Sequence, residues 1–167
     1  HPDRSVTILV AIADVDELVI KESALDVHAK HNTTSVYTSG GMFPMLPEKL
    51  STDLTSLGEG QDRLAVVVEM VIAEDGAILS STLFRALVRN HAKLAYNSVA
   101  AWLAGEAPEP ERVKAISGLD AQLRLQDQVA QRLKVRRHQQ GALSLETIEP
   151  RAVFEGEVLT NLKVEQK

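Results

Sequence analysis

Two β-rich runs, Arg63–Ala73 and Ala77–Val88, flank the dipeptide Asp75-Gly76. No other feature of the chain limits its fold as much. Asp-Gly between strand-forming runs favours a tight reversal, because glycine reaches positive φ at no steric cost. The arms are rich in Val, Ile, Leu and Thr, residues that fit a pleated surface. The spacing therefore predicts a long antiparallel hairpin, with period two along both arms.

The flanks supply the other elements. Ser5–Asp14 reads SVTILVAIAD, a continuous β-branched and aliphatic run, as expected of a strand buried on both faces. Ser23 suits the N-cap of a short helix, Ala24–Lys30, with Asp26 in its first turn. Asn32–Thr38 is polar and β-branched, so it is expected to be extended. Gly40-Gly41, Pro44 and Pro47 then interrupt regular structure. The stretch FPMLPEKLSTDLTSL is expected to be a packed loop with short helical turns. From Ala92 the period changes to about 3.6. Leu94, Ala95, Val99, Trp102 and Leu103 share one face, and Gly105 ends the run. EAPEPER reads as a surface connection. A second helix is expected from Leu119 to about His138, with Leu119, Leu123, Ala130 and Leu133 inward. Three short β-like runs follow: Ala142–Ile148, Arg151–Glu155 and Glu157–Val164. The pattern is α+β, a mixed β-sheet with a long hairpin and two packed helices. A strand near residue 1 and a final run, LKVEQK, with no closing element imply an incomplete domain.

Composition removes several classes. Apolar residues make up 44% and charged residues 25% of the 167, close to a globular average and far from a disordered or collagen-like chain. No 18-residue apolar run exists, so no membrane-spanning helix is expected. There is no cysteine, which excludes disulfides and thiolate metal sites and fits a reducing compartment, taken here as the cytoplasm. The net charge is −5. A protein that grips nucleic acid mainly by bulk charge is usually basic, so any such contact must be local or assisted by other parts.

Candidate chemistry is sparse. Asp14 and Asp16 lie two apart at a strand end, so period two puts both carboxylates on one face, where they could share Mg²⁺. The plainer reading is two solvated turn residues, since divalent sites usually take more oxygen ligands. His28 and His31 have helical i,i+3 spacing, but no third zinc ligand stands at a recognised distance. No G-x-S-x-G, P-loop or G-x-G-x-x-G motif is present. Asn32-Thr33-Thr34 matches a glycosylation acceptor without any sign of secretion. Arg132, Lys134, Arg136, Arg137 and His138 cluster at a helix end, either complementing the helix dipole or meeting phosphates. With three Phe, two Tyr and one Trp in the chain, an aromatic in a polar loop stands out. Tyr37 sits in such a loop, where a ring can stack on a base. Tyr96 reads by itself as a half-buried helix residue.

Three stretches combine into a resemblance. AIADVDELV, HNTTSVYTSGGMFPMLPEKLSTDLTSL and NHAKLAYNSVAAWL are similar to the catalytic domain of the ribonuclease II/R family, the RNB exoribonucleases. The middle stretch carries the most specific order: S-V-Y, a spacer, P-M-L-P, then L-S-x-x-L-x-S-L. The similarity continues through RRHQQGALSLE and so covers nearly the whole chain.

The resemblance implies an enzyme that degrades single-stranded RNA processively from its 3′ end to nucleoside 5′-monophosphates. It implies Mg²⁺ held by an aspartate cluster that in the family lies just before the strand starting here at Ser5. Asp3 does not match that cluster, so the main catalytic acids are expected upstream of His1. About half of the catalytic domain is expected in residues 1–167. This chain alone is therefore expected to be inactive, with its own catalytic residues unknown and no metal ligand assigned within it. Tyr37 matches the tyrosine that stacks on the 3′-terminal part of the RNA. Tyr96 matches one that contacts RNA near the cleavage site and helps to sense the ribose. Leu145 falls where some members place a phenylalanine closing the other side of the stack, and leucine departs from that pattern. Asp14 matches the common acid of the IADV segment, in a supporting role. A monomer is expected, and the alternative function is a catalytically silent RNA-binding relative.

Overall fold

The computed structural model describes residues 1–38, 41–143, 148–156 and 158–166. In chain order the strands are β1 (Val6–Ala13), β2 (Val36–Thr38), β3 (Gly41–Phe43), β4 (Asp62–Ile72), β5 (Ile78–Arg89), β6 (Ile148–Glu155) and β7 (Val158–Gln166). The helices are α1 (Ala24–Asn32), α2 (Tyr96–Leu103), α3 (Glu111–Lys114) and α4 (Leu119–Gln139). A 3₁₀ turn at Val15–Glu17 and a π-helical turn at Leu50–Leu54 complete the described elements.

The hairpin forms where the Asp-Gly signal places it. The Ala73 amide donates to the Ala77 carbonyl at 2.8 Å and the Gly76 amide to the Ala73 carbonyl at 3.0 Å. Asp75 Oδ1 accepts from the Ala77 amide at 2.9 Å. Gly76 has φ 80°, a left-handed value that glycine alone adopts freely. A Cβ there would also lie 2.7 Å from the Arg132 carbonyl oxygen, so α4 crosses directly over the turn. Between Val71 and Ile72 the β4–β5 register shifts, a bulge that adds twist.

The main sheet has the order β1-β4-β5, with both ladders antiparallel. The two remaining sheets, β2–β3 and β6–β7, are separate antiparallel hairpins. The α+β class and the long hairpin stand. The mixed sheet does not: among the described residues the parallel pairing is a lone bridge, Glu59 to Asn90. The last region holds two described strands rather than three short runs, and residues 144–147 of the first run lie outside the described residues.

Burial follows strand position. Central β4 carries Ala65, Val67 and Ile72, all buried. β1 is a strand as expected, yet it is not buried on both faces, because Leu9 and Ile12 are exposed. Two physical reasons account for this. Among the described residues the strand has one neighbour, β4, and a cleft of about 730 Å³ separates it from α4, lined by Val6, Ile8, Val10, Leu125, Val129 and Leu133. Aliphatic character marks where cover is needed, not where it is supplied.

The helices differ from expectation in detail. α1 starts as predicted, with Ser23 Oγ accepting from the Asp26 amide at 3.3 Å. It runs on to Asn32, so the extended segment starts later than Asn32. α2 begins at Tyr96 rather than Ala92. Asn90 Oδ1 takes the Ala92 amide at 3.0 Å and Glu59 Oε2 takes the Lys93 amide at 2.9 Å. Side chains outside the helix thus bind the amides that an earlier start would leave unpaired. In α4 the buried residue is Val129, while Ala130 faces outward. Arg124 stacks over the Trp102 ring with its guanidinium carbon 4.5 Å from the ring centre, and so ties α4 to α2. The acidic connection contains α3, unforeseen because it is polar but for Val113, which is buried. The Pro-rich stretch is packed as expected: Leu46 and Leu50 join Val19 and Ala29 in a small core.

Candidate nucleic-acid interface

Strands β2 and β3 form a short ribbon that stands off this core. Its pairs are Val36–Phe43, Tyr37–Met42 and Thr38–Gly41. The base of the ribbon is fixed: Ser35 Oγ accepts from the Met45 amide at 2.9 Å, and the Asn32 amide side chain donates to the Met45 carbonyl at 3.4 Å. Thr38 Oγ1 donates to the Gly41 carbonyl at 2.8 Å near the tip. Alternation along the strands puts Tyr37 and Met42 on one face and Val36 and Phe43 on the other. Tyr37 is 77% exposed, so it is a surface ring held on an anchored ribbon. Phe43 is 66% exposed. The sequence pattern puts Phe43 in the packed loop; the Gly40-Gly41 pair between Val36–Thr38 and Met42-Phe43, a hairpin-type dipeptide, was the signal that could have found it.

Tyr96 is the first residue of α2 and is 92% exposed. It is therefore not the half-buried helix residue that local pattern alone suggests. Its position depends on the preceding segment, which Glu59 and Asn90 hold by the two bonds to backbone amides given above. The Lys93 amide, and after it the Arg112 guanidinium, hold the Glu59 carboxyl below the usual glutamate range. Glu59 and Asn90 carry no sequence motif that marks this work. Among the described residues neither tyrosine enters a ring–ring contact. Leu145 lies outside the described residues.

The acidic candidates come together around a cation, not around a vacancy. Asp14 is buried, at 5% exposure. Arg85 Nε lies 2.9 Å from its Oδ2, and Arg85 Nη2 lies 2.8 Å from Asp16 Oδ2. Glu17 is 3.7 Å from Arg85 Nη1. The strand ends at Ala13, and a 3₁₀ turn carries Asp16, so the period-two premise for a shared face fails. Neither oxygen of Asp14 makes a well-directed hydrogen bond among the described residues; its compensation is the neighbouring guanidinium charge.

These residues do not fit Mg²⁺. The ion needs an open octahedral set of oxygens, and here the carboxylates face a guanidinium, one of them sealed from solvent. Of the two histidines, His28 is engaged locally: Asn32 Nδ2 donates to its Nε2 at 3.0 Å. His1, before which the resemblance places the main acids, is exposed. Its Nε2 shares a 2.7 Å hydrogen bond with Thr7 Oγ1, and it joins no acid cluster. Asp3, the nearest acid to it, is turned back on Ser5 instead: Asp3 Oδ1 accepts from the Ser5 hydroxyl at 2.7 Å and from the Ser5 amide at 3.0 Å. Among the described residues no three His, Cys, Asp or Glu side chains are grouped to hold a metal.

The surface that remains chemically distinctive has two displayed tyrosines on fixed supports. An RNB domain family model matches residues 1–167. The chain belongs to the RNB domain family. Among RNB proteins, ribonuclease R of Vibrio parahaemolyticus is 40% identical over 148 residues, 89% of this chain and 17% of the relative. Exoribonuclease 2 of Cronobacter sakazakii is 42% identical over 124 residues, 74% of this chain and 19% of the relative. The chain thus spans less than a fifth of either. In three dimensions it is similar to Mycoplasma genitalium RNase R in complex with double-stranded RNA, with TM-score 0.81 and 28% identity. That match covers 95% of this chain and 28% of the solved one. Among the described residues no helix is long and apolar enough to cross a membrane.

Proposed function

We propose that the protein containing this chain is a cytoplasmic 3′→5′ exoribonuclease. It degrades single-stranded RNA processively and releases nucleoside 5′-monophosphates. The observation that carries the reading is the RNB family match along all 167 residues. The ribonuclease names of the relatives support it, as does the display of both tyrosines that the RNB resemblance singles out.

In this reading the chain holds and orients RNA. Tyr37 stacks on the 3′-terminal bases, using a π-face that every base offers. Tyr96 contacts the RNA near the cleavage site and senses the ribose. Leu145 supplies an apolar surface where an aromatic would close a sandwich, so grip on the terminal base rests more heavily on Tyr37. The protein uses Mg²⁺, and acids upstream of His1 supply its ligands.

The test uses the full-length protein with a 5′-labelled single-stranded RNA and Mg²⁺. Stepwise shortening with release of nucleoside 5′-monophosphates supports the proposal. Binding without shortening supports a catalytically silent relative, and failure to bind RNA overturns both. The 167-residue chain assayed alongside should release no mononucleotides. If it does so in a Mg²⁺-dependent manner, the ligands are not upstream of His1 but within the chain.

A further inference from the structure

From Gln128 to Leu143 the chain has no acidic residue, yet it carries Arg132, Lys134, Arg136 and Arg137. In a chain of net charge −5, this is a concentrated positive surface on the last two turns of α4 and its exit. The ordinary account is complementarity to the helix dipole, but the helix end is already satisfied. The Gln140, Gly141 and Ala142 amides donate to the carbonyls of Arg136, His138 and Arg137, at 3.1, 2.9 and 3.0 Å. Cationic side chains are not needed to bond those carbonyls.

The acids at the hairpin turn neutralise only one cation of the patch. Asp75 is taken by Arg136, with Nη1 2.9 Å from Oδ2, and Glu74 by Arg4, also at 2.9 Å. That ion pair fixes Arg136 as an anchor between the turn and α4. One turn earlier, Arg132 keeps Nη1 buried with no hydrogen-bond partner among the described residues. Lys134 and Arg137 are exposed, and among the described residues neither forms an ion pair. They stand three apart, which places them side by side on the helix surface. Beside Arg137 a cleft of about 390 Å³ opens between α4 and the start of β5, lined by Gly76, Ile78, Leu133, Arg136, Arg137 and Gln140.

We propose that this end of α4 and its cleft contact the phosphate backbone of single-stranded RNA, apart from the tyrosine surface. The inference rests on the nucleic-acid reading above. A phosphate would meet these two cations beside turn acids, Asp75 and Glu74, that are already engaged. Such contacts position the strand without reading its bases. Lys134 and Arg137 are the contacting residues, and Arg136 positions the helix end through Asp75.

The experiment compares the full-length protein with its Lys134→Gln/Arg137→Gln variant. Affinities for oligo(A) and oligo(U) are measured across a salt series. On single strands each phosphate contact contributes about 0.7 to the slope of log affinity against log salt. Losing both should lower the slope by about 1.4 and weaken binding roughly tenfold at moderate salt, equally for both oligomers. Lys134→Arg/Arg137→Lys should keep the wild-type slope. An unchanged slope and affinity in the Gln variant overturn the proposal, as does a lowered melting temperature with an unchanged slope, which would assign these cations to internal ion pairs. A wild-type protein that binds neither oligomer defeats the functional reading itself, a different result.

Discussion

Tyr37 and Asp14 show how differently single residues can match what their surroundings suggest. Thr38, Gly41 and the other small neighbours cannot bury a ring, and Tyr37 is accordingly at the surface. Base–aromatic stacking contributes roughly 1–3 kcal/mol per base. Tyr37→Ala in the full-length protein should therefore weaken binding of short RNA ends by about one to two orders of magnitude. Its melting temperature should stay close to that of the wild type, because the ring covers no core. A large loss of stability with unchanged RNA handling would make it a packing residue. Asp14 goes the other way. Its neighbours in sequence suggest an open acidic turn, but the hairpin brings Arg85 across from β5 and closes it in. A cation far along the sequence decides what that carboxylate can do.

At the scale of elements, the hairpin turn and the approach to α2 depend on single residues. Gly76→Ala would place Cβ 2.7 Å from the Arg132 carbonyl oxygen and 2.9 Å from its carbon, while forcing φ 80° on an L residue. Backbone strain of this kind costs about 1–3 kcal/mol. The expected result is a midpoint of chemical unfolding shifted to lower denaturant, with α4 the element that loosens, as read by amide exchange near Arg132. Glu59 has a different signature, in pH. Its folded pKa is lowered by the Lys93 amide and then by Arg112. Its contribution is complete above the usual glutamate value of about 4.3 and is lost as pH falls through the lowered folded value. Melting temperatures between pH 6 and pH 3 should fall less steeply for Glu59→Gln than for the wild type. Identical slopes would show that the carboxylate does not anchor the segment before Tyr96.

The whole molecule exposes more surface than its mass requires. Its accessible area is 12476 Å², against about 8,100 Å² expected for a compact monomer of 18.2 kDa. The excess includes aliphatic residues on β1 and β5, among them Leu9, Ile12, Leu83 and Leu87, all exposed. Large uncovered apolar surface favours association. The 167-residue chain produced alone should bind a hydrophobic dye and scatter light as aggregates, whereas the longer protein should do neither at equal molar concentration. A monodisperse, dye-silent chain would mean that these side chains find cover within it.

Local signals decided what local forces control. Asp75-Gly76 specified the hairpin, because turn geometry is set by φ at one residue. Ser23 specified the start of α1, because a cap bonds three residues ahead. The Val36–Thr38 segment was marked as extended and PMLP as part of the packed loop, but β3 was not marked, because Gly40-Gly41 and Pro44 read as breaks. Properties that depend on distant partners were not legible. Whether β1 is covered depends on how closely α4 approaches it, and no periodicity encodes that distance. The start of α2 depends on Glu59 and Asn90 capturing two amides, which overrides the helical period beginning at Ala92. The acids after β1 gave no hint of Arg85, and Tyr96 read as a half-buried ring until the fold put it in solvent. Sequence alone determined the β4–β5 hairpin, the strand β1 and the helices α1 and α4. The tertiary structure decided which of their side chains meet a partner within the chain and which remain exposed, because burial and charge compensation arise between segments that are far apart along the chain.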